Sequence, residues 1–267
     1  MPFYRRDLRG SLPLSPAGSG RAPGAPTART EPVRDSVARR PQCPDSAGGY
    51  AVLDLETTGL SPTKDSILEI GLVLVGADGA VERSWSTLVD PGAGVGVGPT
   101  FIHGIVTTDL DGAPPLAAIA DLLVRDLAGR AVVAHNARFD VGFLSHALRA
   151  LGRLERGWVV PRVCTMELAR RYISTPSRRL VTCCEVAGVE IGRHHSALDD
   201  AHAAAGLLRH YMAVGGRRGQ RSTAWSRALD EAAVFAGWHW DAGEARRQEA
   251  LLLPRRGAGV PRTALPG

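Results

Sequence analysis

Large apolar residues are scarce between Leu14 and Tyr50 and then arrive in runs. Ala51-Val52-Leu53 opens a buried strand, and Ile67 to Val75 reads as a second. Ala77-Asp78-Gly79 is a turn signal, and Val81 to Val89 beyond it alternates in part, as a third strand would. Three strands joined by tight turns predict an antiparallel meander. From Pro115 the period lengthens to that of a helix, with Leu116, Ile119, Leu122, Leu123 and Leu127 on one stripe and Gly129 at its end. Ala131 to Ala134 is a short buried strand. It runs into a helix reaching about Gly152, whose stripe is Phe139, Phe143, Leu144, Ala147, Leu148 and Leu151. Shorter helices are predicted over Cys164–Tyr172 and Val181–Ala187, and a long one over Ala197–Met212, stopped by Gly215-Gly216. Strands first, then helix and strand in alternation, make residues 50–213 an α/β domain with a mixed sheet.

The two ends differ from this middle. Residues 1–49 are rich in Pro, Gly, Ser, Ala and Arg and are expected to be disordered, or to serve as a basic arm. Residues 214–267 form a tail predicted to hold one amphipathic helix, about 223–236. Trp225, Ala228, Leu229, Ala232, Ala233 and Ala236 lie on one side of it, and Gly237 is its cap. That helix either packs back on the domain or meets a partner.

Charge sharpens the division. Residues 1–49 hold eight Arg against four acids and 214–267 hold nine against five, so each end carries +4 and the middle −3 of the chain's +5. An acidic middle has the wrong sign for gripping nucleic acid by charge alone and the right sign for holding divalent cations. A hydrophobic fraction of 44% suffices for a core, while the absence of an 18-residue apolar run argues against a membrane span. No h-region follows Arg5-Arg6, so no secretory signal is expected. The four cysteines, Cys43, Cys164, Cys183 and Cys184, contain no C-x-x-C pair. Reduced thiols in a cytoplasmic protein are the expectation, and a zinc site is not.

The acids carry the chemistry. Asp54 and Glu56 share one face of the first strand, with Cα atoms about 6–7 Å apart. Such a pair is either a solvated edge or half of a cation site. Asp140 begins the helix after the second buried stretch of the α/β part, and Asp200 lies in the first turn of the long helix, five residues after His195. Strand ends beside helix starts are where open α/β sheets place their sites. Converging carboxylates suit Mg²⁺ or Mn²⁺. Two such ions about 3.5–4 Å apart clamp the attacking and leaving oxygens of a phosphoryl displacement, and imidazole, which ordinarily titrates near neutrality, suits the base that activates water.

These residues resemble the DEDD 3′–5′ exonucleases, in the subgroup with a catalytic histidine (DEDDh), and among them the epsilon proofreading subunit of bacterial DNA polymerase III. The motifs are Asp54-Leu55-Glu56-Thr57-Thr58-Gly59-Leu60, His135-Asn136-Ala137-Arg138-Phe139-Asp140 and His195-Ser196-Ala197-Leu198-Asp199-Asp200-Ala201, with Ile102-His103-Gly104-Ile105 between the first two. The H-x-A-x-x-D spacing selects His195 with Asp200 rather than His194 with Asp199, leaving Asp199 as a solvated or cap residue. Cys164-Thr165 departs from the Asp-Thr of many relatives, outside the catalytic positions. The resemblance implies a ribonuclease H-like fold, a five-stranded mixed sheet with helices on both sides. It implies two Mg²⁺ or Mn²⁺ ions, one held by Asp54, Glu56 and Asp200, the second sharing Asp54 and supported by Asp140. His195 would be the base. Thr57, Thr58 and Leu60 would hold the 3′-terminal nucleotide, His103 would line its pocket, and Asn136 and Phe139 would flank the strand. The product would be a nucleoside 5′-monophosphate from a DNA 3′ end, in proofreading or repair at the bacterial nucleoid. An exoribonuclease of the same group and a non-catalytic polymerase-associated module are the alternatives. Partners implied are single-stranded DNA and a replicative polymerase or sliding clamp, and Gln248-Glu249-Ala250-Leu251-Leu252-Leu253 loosely resembles a clamp-binding peptide.

Overall fold

The computed structural model describes residues 48–192, 195–220 and 222–256. The expected disorder of the N-terminal segment therefore falls, for 1–47, outside the described residues, as do Cys43 and the rejected alternative His194. Five strands form one sheet: β1 Gly49–Thr57, β2 Ile67–Gly76, β3 Val81–Leu88, β4 Arg130–Ala134 and β5 Arg162–Cys164. Their order is β3-β2-β1-β4-β5, antiparallel across β1, β2 and β3 and parallel across β1, β4 and β5. The predicted meander and mixed sheet are present. β5 carried no pattern of its own, because three residues are too few for a period to show. The edge-strand reading of the acidic pair fails, since β1 is the middle strand.

Alternation along β1 builds the two faces. Ala51, Leu53 and Leu55 pack with α2 (Ala120–Leu127) and α3 (Ala137–Ala150), whereas Tyr50 and Val52 pack with α6 (Ala197–Arg217) and α7 (Ala224–Ala233). Asp54 and Glu56 share the parity of Tyr50 and Val52 and so face α6. On β2, Glu69 and Gly71 lie on that same side, and Glu69 stands opposite Glu56 in the register. Gly71 is required there: a Cβ would come within 2.2 Å of the Ala197 carbonyl, where α6 begins. This close approach brings the first turn of α6, with Asp200, onto the acidic end of β1.

The remaining helices are α1 Thr100–His103, α4 Thr165–Tyr172, α5 Leu180–Ala187 and α8 Ala242–Gln248, with 3₁₀ turns at Thr107–Leu110, Leu116–Ile119 and Glu249–Leu251. The expected stop at Gly215-Gly216 is overrun. α6 continues to Arg217 because Gly215 lies under the Trp225 ring, and the chain turns at Gly219, with φ of 64°. Past α6, α7 packs back on the sheet through Trp225, Ala228 and Ala232, with Trp225 against Tyr172 at 5.2 Å between ring centroids. The tail holds a second helix as well, α8, which buries only Ala245 and Gln248 and so has too short a stripe to read from sequence. Gln248 is not offered to a clamp. It is buried, its Oε1 accepts from the Leu122 amide at 2.9 Å, and Leu253 pairs with the end of β3, where the Leu88 amide donates to its carbonyl. No described helix is long and apolar enough to cross a membrane.

Candidate active site

The site lies where β1 outruns its parallel partner. β1 pairs with β4 only from Gly49↔Arg130 to Val52↔Val133, so beyond Val52 that edge of β1 is free for side chains. Asp140, in the first turn of α3, takes it: its Oδ1 accepts from the Leu55 amide at 3.2 Å. Asp54, Glu56, Asp140, Asp200 and Glu69 all crowd this end, and each of the other four raises the pKa of Asp54. Ligand atoms of Glu56, His195 and Asp200 lie within 4.8 Å of one another, close enough to share one cation.

This crowding has a clear electrostatic signature. Burial, then repulsion from Asp140, Asp200, Glu56 and Glu69, drives Asp54 well above the usual carboxylate range. Burial followed by Glu69 and Asp200 pushes Glu56 up to about 8, and burial pushes Asp140 to about 7 against the pull of its backbone hydrogen bonds. Arg255 offsets only part of this repulsion, so the acids remain short of positive charge, and hard oxygen donors gathered at one point fit Mg²⁺ or Mn²⁺.

This makes a thermal prediction. Between about 4.5 and 8 the folded chain keeps a proton on Glu56 that the unfolded chain has released, and Asp140 does the same between about 3.8 and 7. The folded state binds more protons, so metal-free stability falls as pH rises through that window. The Tm in EDTA is expected to decline from pH 5 to pH 8, and the gain on adding Mn²⁺ to grow over the same range. A metal-induced shift independent of pH would rule out these carboxylates as the ligands.

Two groups around the acids escaped the sequence reading. Glu69 is fully buried, and burial lifts it to about 7 against the pull of Arg255 and the Ala197 amide. Its signal was available, since it is the one acid within an otherwise apolar strand. Arg255, from the far end of the tail, lies 3.8 Å from Glu69 and gave no signal at all. His195 itself has φ of 63°, the one non-glycine in the left-handed region among the described residues, a conformation costing roughly 1–3 kcal/mol that its surroundings must supply.

The expected nucleotide contacts divide. The β1 terminus turns over itself: Thr57 Oγ1 donates to the Gly59 carbonyl at 2.6 Å, and Asp65 accepts from the Ser61 amide at 2.8 Å and from the Thr58 hydroxyl at 3.4 Å. This leaves Leu60 85% exposed at the rim. The loop bearing Phe101, 88% exposed, crosses this turn at Gly98, whose φ of 73° and closeness to the Thr58 carbonyl admit no side chain. Asn136 is exposed and Phe139 is half-buried against Phe143. His103 is 2% exposed, its Nδ1 accepts from the Ile105 amide, and its Nε2 donates to the Val97 carbonyl, so both nitrogens brace their own loop. Asp199, in the first turn of α6, is half-buried beside Gly192. His135 bridges Thr165 and the Arg178 carbonyl, a structural role. Elsewhere on α3, Arg138, Arg149, Arg162 and His146 line a cavity of about 390 Å³, a local basic surface on an otherwise acidic domain.

A family model described as Exonuclease (RNase_T) matches residues 51–208, which contain all three motifs and the acids Asp54, Glu56, Glu69, Asp140 and Asp200. The chain belongs to this exonuclease family. Among curated relatives, a Mycobacterium tuberculosis protein, MT2247, named for a proposed pair of exonuclease and endonuclease activities, is 37% identical over 64% of this chain and 27% of its own length. DNA polymerase III PolC-type of Clostridium perfringens is 34% identical over 60% of this chain and 11% of its own. The chain thus spans about a quarter and about a tenth of these relatives. Among solved structures, E. coli exonuclease I in complex with a dT13 oligonucleotide superposes with a TM-score of 0.56 at 17% identity, covering 64% of this chain and 42% of that one. A full-length 3′-exonuclease gives 0.52 at 18%, covering 62% and 60%. At these identities the superpositions speak for the fold, the ribonuclease H-like arrangement of an exonuclease. The family match ends before α7 and α8, so Arg255 belongs to a part of the chain that the family model does not describe.

Proposed function

We propose that this exonuclease works in the 3′–5′ direction on single-stranded DNA ends, depends on two divalent cations, and releases nucleoside 5′-monophosphates in proofreading or repair at the bacterial nucleoid. The observation that carries this reading is the convergence of Asp54, Glu56, Asp140 and Asp200 with His195 at one end of β1. Bound Mg²⁺ or Mn²⁺ would neutralise the scissile phosphate and the charge that develops on it. Asp54, Glu56 and Asp200 would hold the first ion and Asp140 the second, with Asp54 between them. His195 stands on the solvent side of this set, where it takes a proton from the attacking water. Leu60 and Phe101 offer apolar surface to the terminal bases, a sequence-tolerant grip suited to single strands. Arg138, Arg149 and Arg162 would carry phosphates of the incoming strand. A DNA substrate accords with the PolC-type relatives and with the oligonucleotide bound to exonuclease I.

The test is a shortening ladder. An oligonucleotide labelled at its 5′ end, as DNA and as RNA, is incubated with the protein in Mn²⁺ and in EDTA. A one-nucleotide ladder on DNA with metal, none in EDTA and slower cleavage of RNA is the expected result. Retention of full-length label on both nucleic acids with metal would end the nuclease reading, and loss of the 5′ label as a mononucleotide would reverse its direction.

A further inference from the structure

The tail is fastened to the domain at several points before it reaches the site. Asp121 accepts from the Asp241 amide and from Arg153, Glu249 sits between Arg83 and Arg125, and Leu253 pairs with the end of β3. Two residues later Arg255 turns inward, its side chain 15% exposed. One terminal nitrogen, Nη1, donates to the carbonyl of His103 at 2.7 Å and to the carbonyl of His195 at 3.2 Å, and lies 3.8 Å from the Glu69 carboxylate. The other passes over Gly104, where an added Cβ would stand 2.9 Å from it. The guanidinium therefore joins three separate segments: the loop braced by His103, the left-handed residue that carries the imidazole, and the buried acid paired with Glu56 across the sheet.

We propose that Arg255 is a positioning residue that locks the backbone of His195 against the Thr100–Ile105 segment, so that the C-terminal extension tunes a site to which it supplies no reacting group. The proposal rests on the nuclease reading for its kinetic consequence only. His195 is exposed, two residues before α6, in a conformation that an L-residue holds only when its neighbours impose it. The carbonyl of that residue is the atom that Arg255 holds. A charged donor shared by two carbonyls is worth more than a neutral one and fixes their separation. Both carbonyls and the acid are served from one end of the guanidinium, Nη1, while the planar group stays charged and its second terminal nitrogen lies over Gly104.

The experiment uses the full chain with Arg255→Ala and Arg255→Lys. Hydrogen–deuterium exchange is the first readout, since it needs no activity. Amides of residues 195–199 and 100–106 are expected to exchange about tenfold faster in Arg255→Ala, while those of β1 and β4 stay unchanged. Steady-state hydrolysis of single-stranded DNA is the second. Displacing the imidazole by a fraction of an ångström to one ångström should lower kcat roughly 10–100-fold with KM nearly constant. Added guanidinium should recover part of that loss, and Arg255→Lys should fall between the two. Unchanged exchange in both segments overturns the proposal whatever the activity. A rise in KM at constant kcat also overturns it, because Arg255 would then be a substrate contact. If Arg255→Ala does not fold, Arg255→Lys decides by the same two readouts. A wild-type chain without nuclease activity would sink the preceding reading alone, and exchange would still decide the positional claim.

Discussion

Asp54→Asn is expected to lower metal-supported hydrolysis by about 10⁴-fold or more while raising the Tm of the metal-free protein. Asp54 is the acid that all the others press upon: Asp140, Asp200, Glu56 and Glu69 each raise its pKa, beyond the contribution of burial. Under the proposed two-cation reading this carboxylate would help hold both ions, and removing it would cost their affinity. Several kcal/mol of phosphoryl charge stabilisation is at stake, and each 1.36 kcal/mol is tenfold in rate. The amide keeps the shape and drops the charge, so packing on Leu53 and Leu55 is untouched. In EDTA at pH 8 the variant loses the repulsion among buried acids. Its Tm should rise by a few degrees, at roughly 2–4 °C per kcal/mol for a domain of this size. The checks are initial rates on 5′-labelled single-stranded DNA in Mn²⁺ and a thermal melt in EDTA. Activity within tenfold of wild type would remove Asp54 from the metal set, and a lowered Tm would mean that its charge is compensated in the metal-free fold.

The parts of this site that a sequence can disclose are those with local grammar. Asp54 and Glu56 were legible because strand parity places them together without knowledge of any neighbour. Asp140 and Asp200 were legible because each follows a signal for a helix start. What was hidden depends on contacts over long separations. That β1 is central and not an edge follows from β4 and β5 docking beside it, and β5 is too short to announce itself. His103 sits in the expected segment, yet only the structure shows its ring consumed by Val97 and Ile105. Glu69 could have been suspected, as an acid inside an apolar strand, but its meaning required the Glu56 register. Arg255 lies 60 residues beyond His195, past α6, α7 and α8, so no periodicity or spacing could connect them. Gln248 illustrates the opposite error: a short peptide pattern suggested an exposed ligand, and the fold spends the same side chain on the Leu122 amide and Asp121.

His195→Ala is expected to lower kcat by about 10²–10⁴-fold, the range in which a positioned general base contributes. The geometry leaves one rival role to separate. Ligand atoms of His195, Glu56 and Asp200 lie within 4.8 Å of one another, so the imidazole could serve as a metal ligand instead of a base. The two roles diverge in the metal titration. A base removed from the site leaves the half-saturating Mn²⁺ concentration where it was and depresses kcat, and raising the pH restores rate as hydroxide replaces the missing proton acceptor. A ligand removed shifts half-saturation upward by tenfold or more, and saturating Mn²⁺ then recovers most of the rate. His195 is exposed while Glu56 and Asp200 are buried, an arrangement that suits a group meeting water from solvent more than one completing an inner coordination shell. The base assignment therefore expects unchanged metal half-saturation with a rate that climbs with pH. A His195→Ala enzyme rescued by metal alone would make the histidine a ligand, and one within threefold of wild type would place the base elsewhere.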